Sequence, residues 1–243
     1  MDLDTLISIG YWVSTIGFFV ATIAMGVAVS RFGKSTLGTI FSYVFIGTAI
    51  FLFITIFQAL GGDYFGISNS SMDVWWHLMF YLAFITWFQG LRLLTKLGTS
   101  DAQVVVIGSE KMWGVIVAVI LAVIFVTPKS ADGFAIAYLN SSLGMFGLHH
   151  FLAFGLAGLV AAYLMKAKKN LGQIGKAIAN PMIITMWAFG LQHFWELLNE
   201  SWKVVHVTSQ VGEGGEKIFL TIAAIGITYA AWRLNSFAKQ LVA

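Results

Sequence analysis

The sequence has no cysteine and only two prolines, and charged side chains make up just 10% of its 243 residues. Without cysteine there is no disulfide framework, no thiolate nucleophile and no cysteine-ligated iron–sulfur cluster. With two prolines, long helices run largely uninterrupted. Soluble domains carry roughly 25% charge. The low charge here comes with 58% hydrophobic side chains and a mean hydropathy of +0.84. A water-soluble globule of this size has too little interior to hide that much apolar surface. Walker, Gly-x-Gly-x-x-Gly and Ser–His–Asp patterns are missing too. The start, Met1-Asp2-Leu3-Asp4, lacks the basic region of a secretory signal. The first apolar run is therefore expected to stay as a helix.

What is present is a series of long apolar runs. A spanning helix needs about 20 of them in a row, and seven stretches qualify or nearly qualify: 8–30, 37–60, 73–95, 111–127, 134–165, 180–200 and 216–234. Barrel strands would be far shorter and would alternate. The reading is an all-α, multi-pass integral membrane protein: one domain, 1–243, of seven transmembrane helices. The fifth run is too long for one crossing. It is expected to project from the bilayer or to break near Asn140-Ser141-Ser142-Leu143-Gly144.

Basic residues are divided unevenly between the two sides of such a bundle. Eleven of the fourteen, among them Arg31, Lys34, Arg92 and Lys168, fall on one side; Lys129, Lys203 and Lys217 fall on the other. The positive-inside rule then puts the N-terminus out and the C-terminus in, across a cell (inner) membrane. The net charge of +3 comes from these short loops, so no nucleic-acid partner is expected; the lipid bilayer is the partner. The last run holds only Lys217, at its outer edge, which excludes a mid-membrane retinal Schiff base. Trp12, Trp75, Trp76, Trp113, Trp202 and Trp232 read as interfacial anchors.

Four of the five histidines fall inside predicted spans. Ionisable groups are costly in hydrocarbon, so each is a functional-site candidate. At 1.5 Å per residue, His77 lies about 8 Å below the outer edge and His193 about 10 Å below it; His149 and His150 lie about 23 Å above the inner end of span 5. Three helices thus place imidazoles at similar depth in the outer third. Helical phase puts His193, Glu196 and Glu200 within about 60° of one another, and puts Asp73, His77, Tyr81, Phe84 and Phe88 on one face. Gly144, Gly147, Gly155 and Gly158 read as a stripe of small residues admitting a neighbouring helix or a flat cofactor. His150 lies nearer that stripe, which favours it as the ligand and leaves His149 as a hydrogen-bond partner or a packing residue. Gln58 and Gln192 join the polar cluster.

Imidazole is the commonest metal ligand. Two histidines on facing helices suit haem b; three with a carboxylate suit Zn, Cu or non-haem Fe. The leading reading is a redox subunit holding haem b through two of His77, His150 and His193, with His149 close by. It would pass electrons between a membrane quinol pool and a protein partner on the outer side. The alternative is a metal-dependent membrane enzyme with His77, His150 and His193 as ligands and Glu196 as general acid/base. A third reading is a proton- or ion-coupled transporter in which His193 and Glu196 carry the proton.

Overall fold

The computed structural model describes residues 2–65, 67–96, 128–170 and 172–242. The fourth apolar run, 111–127, and Trp113 within it lie outside the described residues. All regular structure that is described is helical: α1 (Leu3–Phe32), α2 (Thr36–Phe65), α3 (Asn69–Lys96), α4 (Pro128–Leu139), α5 (Ser142–Phe146), α6 (Leu148–Asn170), α7 (Gly172–Glu196), a π-helical turn (Leu197–Ser201) and α8 (Ser209–Val242). Among them, four segments are long and apolar enough to cross a membrane: Thr5–Phe32, Thr36–Gln58, Leu148–Lys169 and Ser209–Gln240. The other two long helices, α3 and α7, carry His77 and His193, and with them Asp73, Arg92, Gln192 and Glu196.

Local signals set the ends of these helices. The Asp2 carboxylate accepts from the Thr5 amide at 2.8 Å and so caps α1, which stops at Gly33 with φ 56°. The Ser141 hydroxyl caps α5 by accepting from the Gly144 amide at 3.2 Å. The fifth apolar run therefore breaks at Asn140-Ser141, as its length requires, and again at Gly147. The inner segment read as a loop, 166–176, is instead mostly helix: α6 continues to Asn170 and α7 starts at Gly172.

The six long helices close a ring, in the order α1–α2–α3–α6–α7–α8 and back to α1. Its centre is an aromatic plug. Phe51 of α2 stacks on Phe189 of α7 at 4.5 Å and on Phe18 of α1 at 5.6 Å, and meets Phe80 and Trp87 of α3 at 4.9 Å each. All of these side chains are fully buried. Edge-to-face and offset pairs of this kind add about 0.5–1.5 kcal/mol each beyond area burial. At one end the plug meets an apolar pocket of about 190 Å³ lined by Leu37, Ile40, Leu91, Leu164 and Ile178. At the other end it meets the histidines.

Small residues on α1 let α8 come close. A Cβ added at Gly17 would lie 3.0 Å from the Ala224 Cβ, and one at Gly10 would lie 3.3 Å from the Lys217 Cβ. Thr228 donates across the seam to the Gly17 carbonyl at 2.8 Å. Such close packing is how helices adhere where apolar burial alone gives no preference. Here it also sets Lys217 beside Tyr11. On the opposite flank, Asp132 of α4 accepts from Ser68 at 2.6 Å and from Ser71, tying α4 to the start of α3. Those two hydroxyls hold its carboxyl below the usual carboxylate range.

Two sequence expectations change. Trp76 is not an interfacial anchor: it is 6% exposed and packs on Phe80 at 5.9 Å. The glycine stripe does not exist as a packing face. Gly144 belongs to the short α5, Gly147 is a left-handed cap, and Cβ atoms at Gly155 and Gly158 would meet nothing within 4 Å.

Candidate metal centre

Two corners meet at the histidine end. Gly147, at φ 76° and ψ 36°, ends α5 and starts α6 in one residue, so His149 and His150 stand in the first turn of α6. Facing it is the π-turn after α7, in which the Trp202 amide donates to the Leu197 carbonyl five residues back. The Trp202 indole donates to the Phe146 carbonyl at 3.1 Å and pins the two corners together. Gly147 packs on Leu197 and Ser201 with no room for a Cβ. That contact brings His150 onto Glu196 and Glu200.

The result is a buried group of four donors from three helices: His77, His150, His193 and Glu196, with one ligating atom from each within 4.8 Å of all the others. None is more than 4% exposed. Glu196 Oε2 is the hub. It lies 2.6 Å from His193 Nδ1, 3.0 Å from His150 Nδ1 and 3.8 Å from His77 Nε2. His77 Nε2 and His150 Nδ1 are themselves 3.0 Å apart. The other Glu196 oxygen accepts from Gln192 Nε2 at 3.0 Å.

The outer nitrogens determine what the inner ones offer. His77 Nδ1 faces two acceptors, the Asp73 carbonyl at 2.8 Å and the Asp73 carboxylate at 3.2 Å. A hydrogen on Nδ1 satisfies both, and in the neutral ring Nε2 then presents its lone pair to the group. This is the carboxylate–histidine arrangement that orients metal ligands. His150 Nε2 lies 3.7 Å from Glu200 Oε2 in the same sense. His193 Nε2 is buried without a hydrogen-bond partner among the described residues; its ring packs edge-to-face on Phe80 at 4.3 Å.

His149 lies beside the four. Its Nδ1 is 3.1 Å from the Tyr138 hydroxyl, its carbonyl accepts from Tyr81 at 2.7 Å, and its Nε2 is 3.7 Å from Asp73 Oδ2. With Asp73 and His77 it makes a second, smaller trio of donors. His206 is exposed in the loop before α8. Helical phase had put Glu200 on the His193 face, and it does reach the cluster, through the π-turn.

The four donors could hold a metal ion. A tetrahedral ion with bonds of about 2.0–2.1 Å has donor–donor edges of about 3.3 Å; four of the six separations are 2.6, 3.0, 3.0 and 3.8 Å, and all six are within 4.8 Å. Without a cation, three imidazoles and one carboxylate must share protons in a buried space where every unmatched charge is expensive. Next to the group lies a polar cavity of about 690 Å³, with His77, His150 and Glu196 in its wall. Tyr11, Asn199 and Lys217 also line it; no motif or spacing marks them for it before the ring closes.

No protein-family model, curated protein or solved structure matches this chain.

Proposed function

We propose that this chain is a multi-pass membrane metalloprotein whose single ion is held by His77, His150, His193 and Glu196. One observation carries the reading: four donor atoms converge within 4.8 Å at a buried point. Three imidazoles and a carboxylate suit Zn, Cu or non-haem Fe. Three of the four donors border the adjoining cavity, so water or a small polar substrate would reach the ion from that side as a fifth ligand, where the ion would act as a Lewis acid. Glu196 then serves as a ligand. A general base would stand one water away from the ion, not 2.6 Å from a ligating nitrogen.

The spacing favours an ion over haem b. Two axial imidazoles hold a porphyrin between them, whereas His77 and His150 touch at 3.0 Å and Glu196 Oε2 sits among the rings. The quinol-linked redox reading then rests on Cu or non-haem Fe at the same donors in place of haem. The aromatic plug speaks against transit through the bundle, since Phe18, Phe51, Phe80 and Phe189 close it behind the site. Elemental analysis of the purified protein is expected to find about one equivalent of a first-row metal and no Soret band. A Soret band, or no metal at all, would overturn the assignment.

The membrane arrangement we infer is the seven-helix one, N-terminus out and C-terminus in, with the metal group toward the outer face. Its support is the basic asymmetry of the loops. A reporter fused after residue 172 is expected on the cytoplasmic side and one after residue 206 on the outer side; the reverse pattern would invert the bundle.

A further inference from the structure

The cavity beside the metal group has its own chemistry. It is walled by α1, α2, α3, α6, α7 and α8 together, and five carboxylates line it: Asp73, Glu196, Glu200, Glu213 and Glu216. One ammonium opposes them, Lys217, which is buried, 3.6 Å from Glu216 and 4.8 Å from the centre of the Tyr11 ring. The balance is acidic, so the cavity attracts cations and repels anions.

A second observation is independent of charge. Three residues that line the cavity each carry a buried polar atom with no hydrogen-bond partner among the described residues: Gln58 Oε1, Gln192 Oε1 and the Tyr11 hydroxyl. Gln192 is only 2% exposed, and its Nε2 is committed to Glu196. A buried amide oxygen without a donor costs about 1–3 kcal/mol. Two amide acceptors and a phenol therefore stand ready for something that brings O–H or N–H groups and positive charge.

A hydrated divalent cation brings both. Six waters at roughly 30 Å³ each occupy roughly 180 Å³, well inside the 690 Å³ of the cavity. The ion thus enters with its shell intact and loses it only where nitrogens replace the waters. The aromatic plug lies behind the metal group, so an ion does not reach it from that side.

We propose that this cavity is a loading chamber: it admits a hydrated divalent cation from one face of the bundle and delivers it to His77, His150, His193 and Glu196. Gln58 and Gln192 accept from the ion's waters, the carboxylates of α8 draw it in, and Lys217 sets how fast it passes. The proposal rests on the metal reading above.

The test is the rate of loading of metal-stripped protein with Co²⁺ alone, followed by the visible absorption of the bound ion. At about 20 mM salt, Glu213→Gln is expected to slow loading roughly three-fold, Glu213→Lys roughly ten-fold, and Lys217→Met to speed it. These differences should shrink at about 500 mM salt, where charges are screened beyond about 4 Å. The end-point spectrum reports the ligand set and should be the same in all. Rates independent of these charges, or slowed equally by Glu213→Gln and Lys217→Met, would remove the chamber and leave the metal centre standing. A wild-type protein that never develops the cobalt spectrum would remove both.

Discussion

His150→Ala is expected to leave the purified protein without its ion. The substitution deletes a donor 3.0 Å from two others, His77 Nε2 and Glu196 Oε2. It also opens the wall between the metal group and the cavity. His149→Ala is the matched comparison one residue away. His149 touches Tyr138, Tyr81 and Asp73 and lies outside the four-donor group. Its loss should weaken binding by about 10–100-fold, the usual effect of removing a group that orients a ligand. Elemental analysis with chelator competition on the two variants separates these outcomes. Full metal in the His150 variant and none in the His149 variant would transfer the centre to the Asp73–His77–His149 trio.

Gly147→Val is expected to be the most damaging change outside the metal group. At φ 76° a β-branched side chain adopts a backbone conformation that costs it roughly 1–2 kcal/mol. Its Cβ also has to enter space already filled by Leu197 and Ser201, for roughly 1–3 kcal/mol of overpacking. Relief of either strain moves the start of α6 away from the π-turn, and His150 moves with it. The variant should therefore lose both thermal stability and metal. Gly155→Ala is the control: that glycine is exposed, a Cβ there meets nothing, and a helix-interior alanine is about 0.5–1 kcal/mol better than glycine. A Gly147 variant as stable and metal-replete as the Gly155 variant would refute the role given to the corner.

Much of this arrangement is legible in the sequence, for physical reasons that differ by element. Helices of 23–34 residues follow from unbroken apolar runs, and the break at Asn140-Ser141 follows from a run too long for one crossing. His77, His150, His193 and Glu196 stand out because ionisable groups in apolar helices are rare. The grouping itself could be read from depth and helical phase. The choice between His149 and His150, however, rested on a glycine stripe that is absent. What distinguishes the two is the left-handed turn at Gly147, a tertiary feature that periodicity does not carry. The cavity was equally hidden. Lys217 reads as a residue at the outer edge of the last run, and only the close approach of α8 to Gly10 and Gly17 sets it inward beside Tyr11. Trp76 misled for the opposite reason, since a tryptophan near a helix end serves a belt or a core equally well.

The central claim is that three imidazoles and one carboxylate share an ion, and X-ray absorption at the metal edge tests it most directly. The metal-loaded protein is expected to give a first shell of three nitrogens and one oxygen at about 2.0–2.1 Å, with the outer-shell scattering of imidazole rings. A His77→Ala, His193→Ala double variant should purify without the ion, and any ion it holds under excess metal should show the scattering of no more than one imidazole ring. A first shell of oxygens alone, or imidazole scattering that survives the double substitution unchanged, would contradict the account.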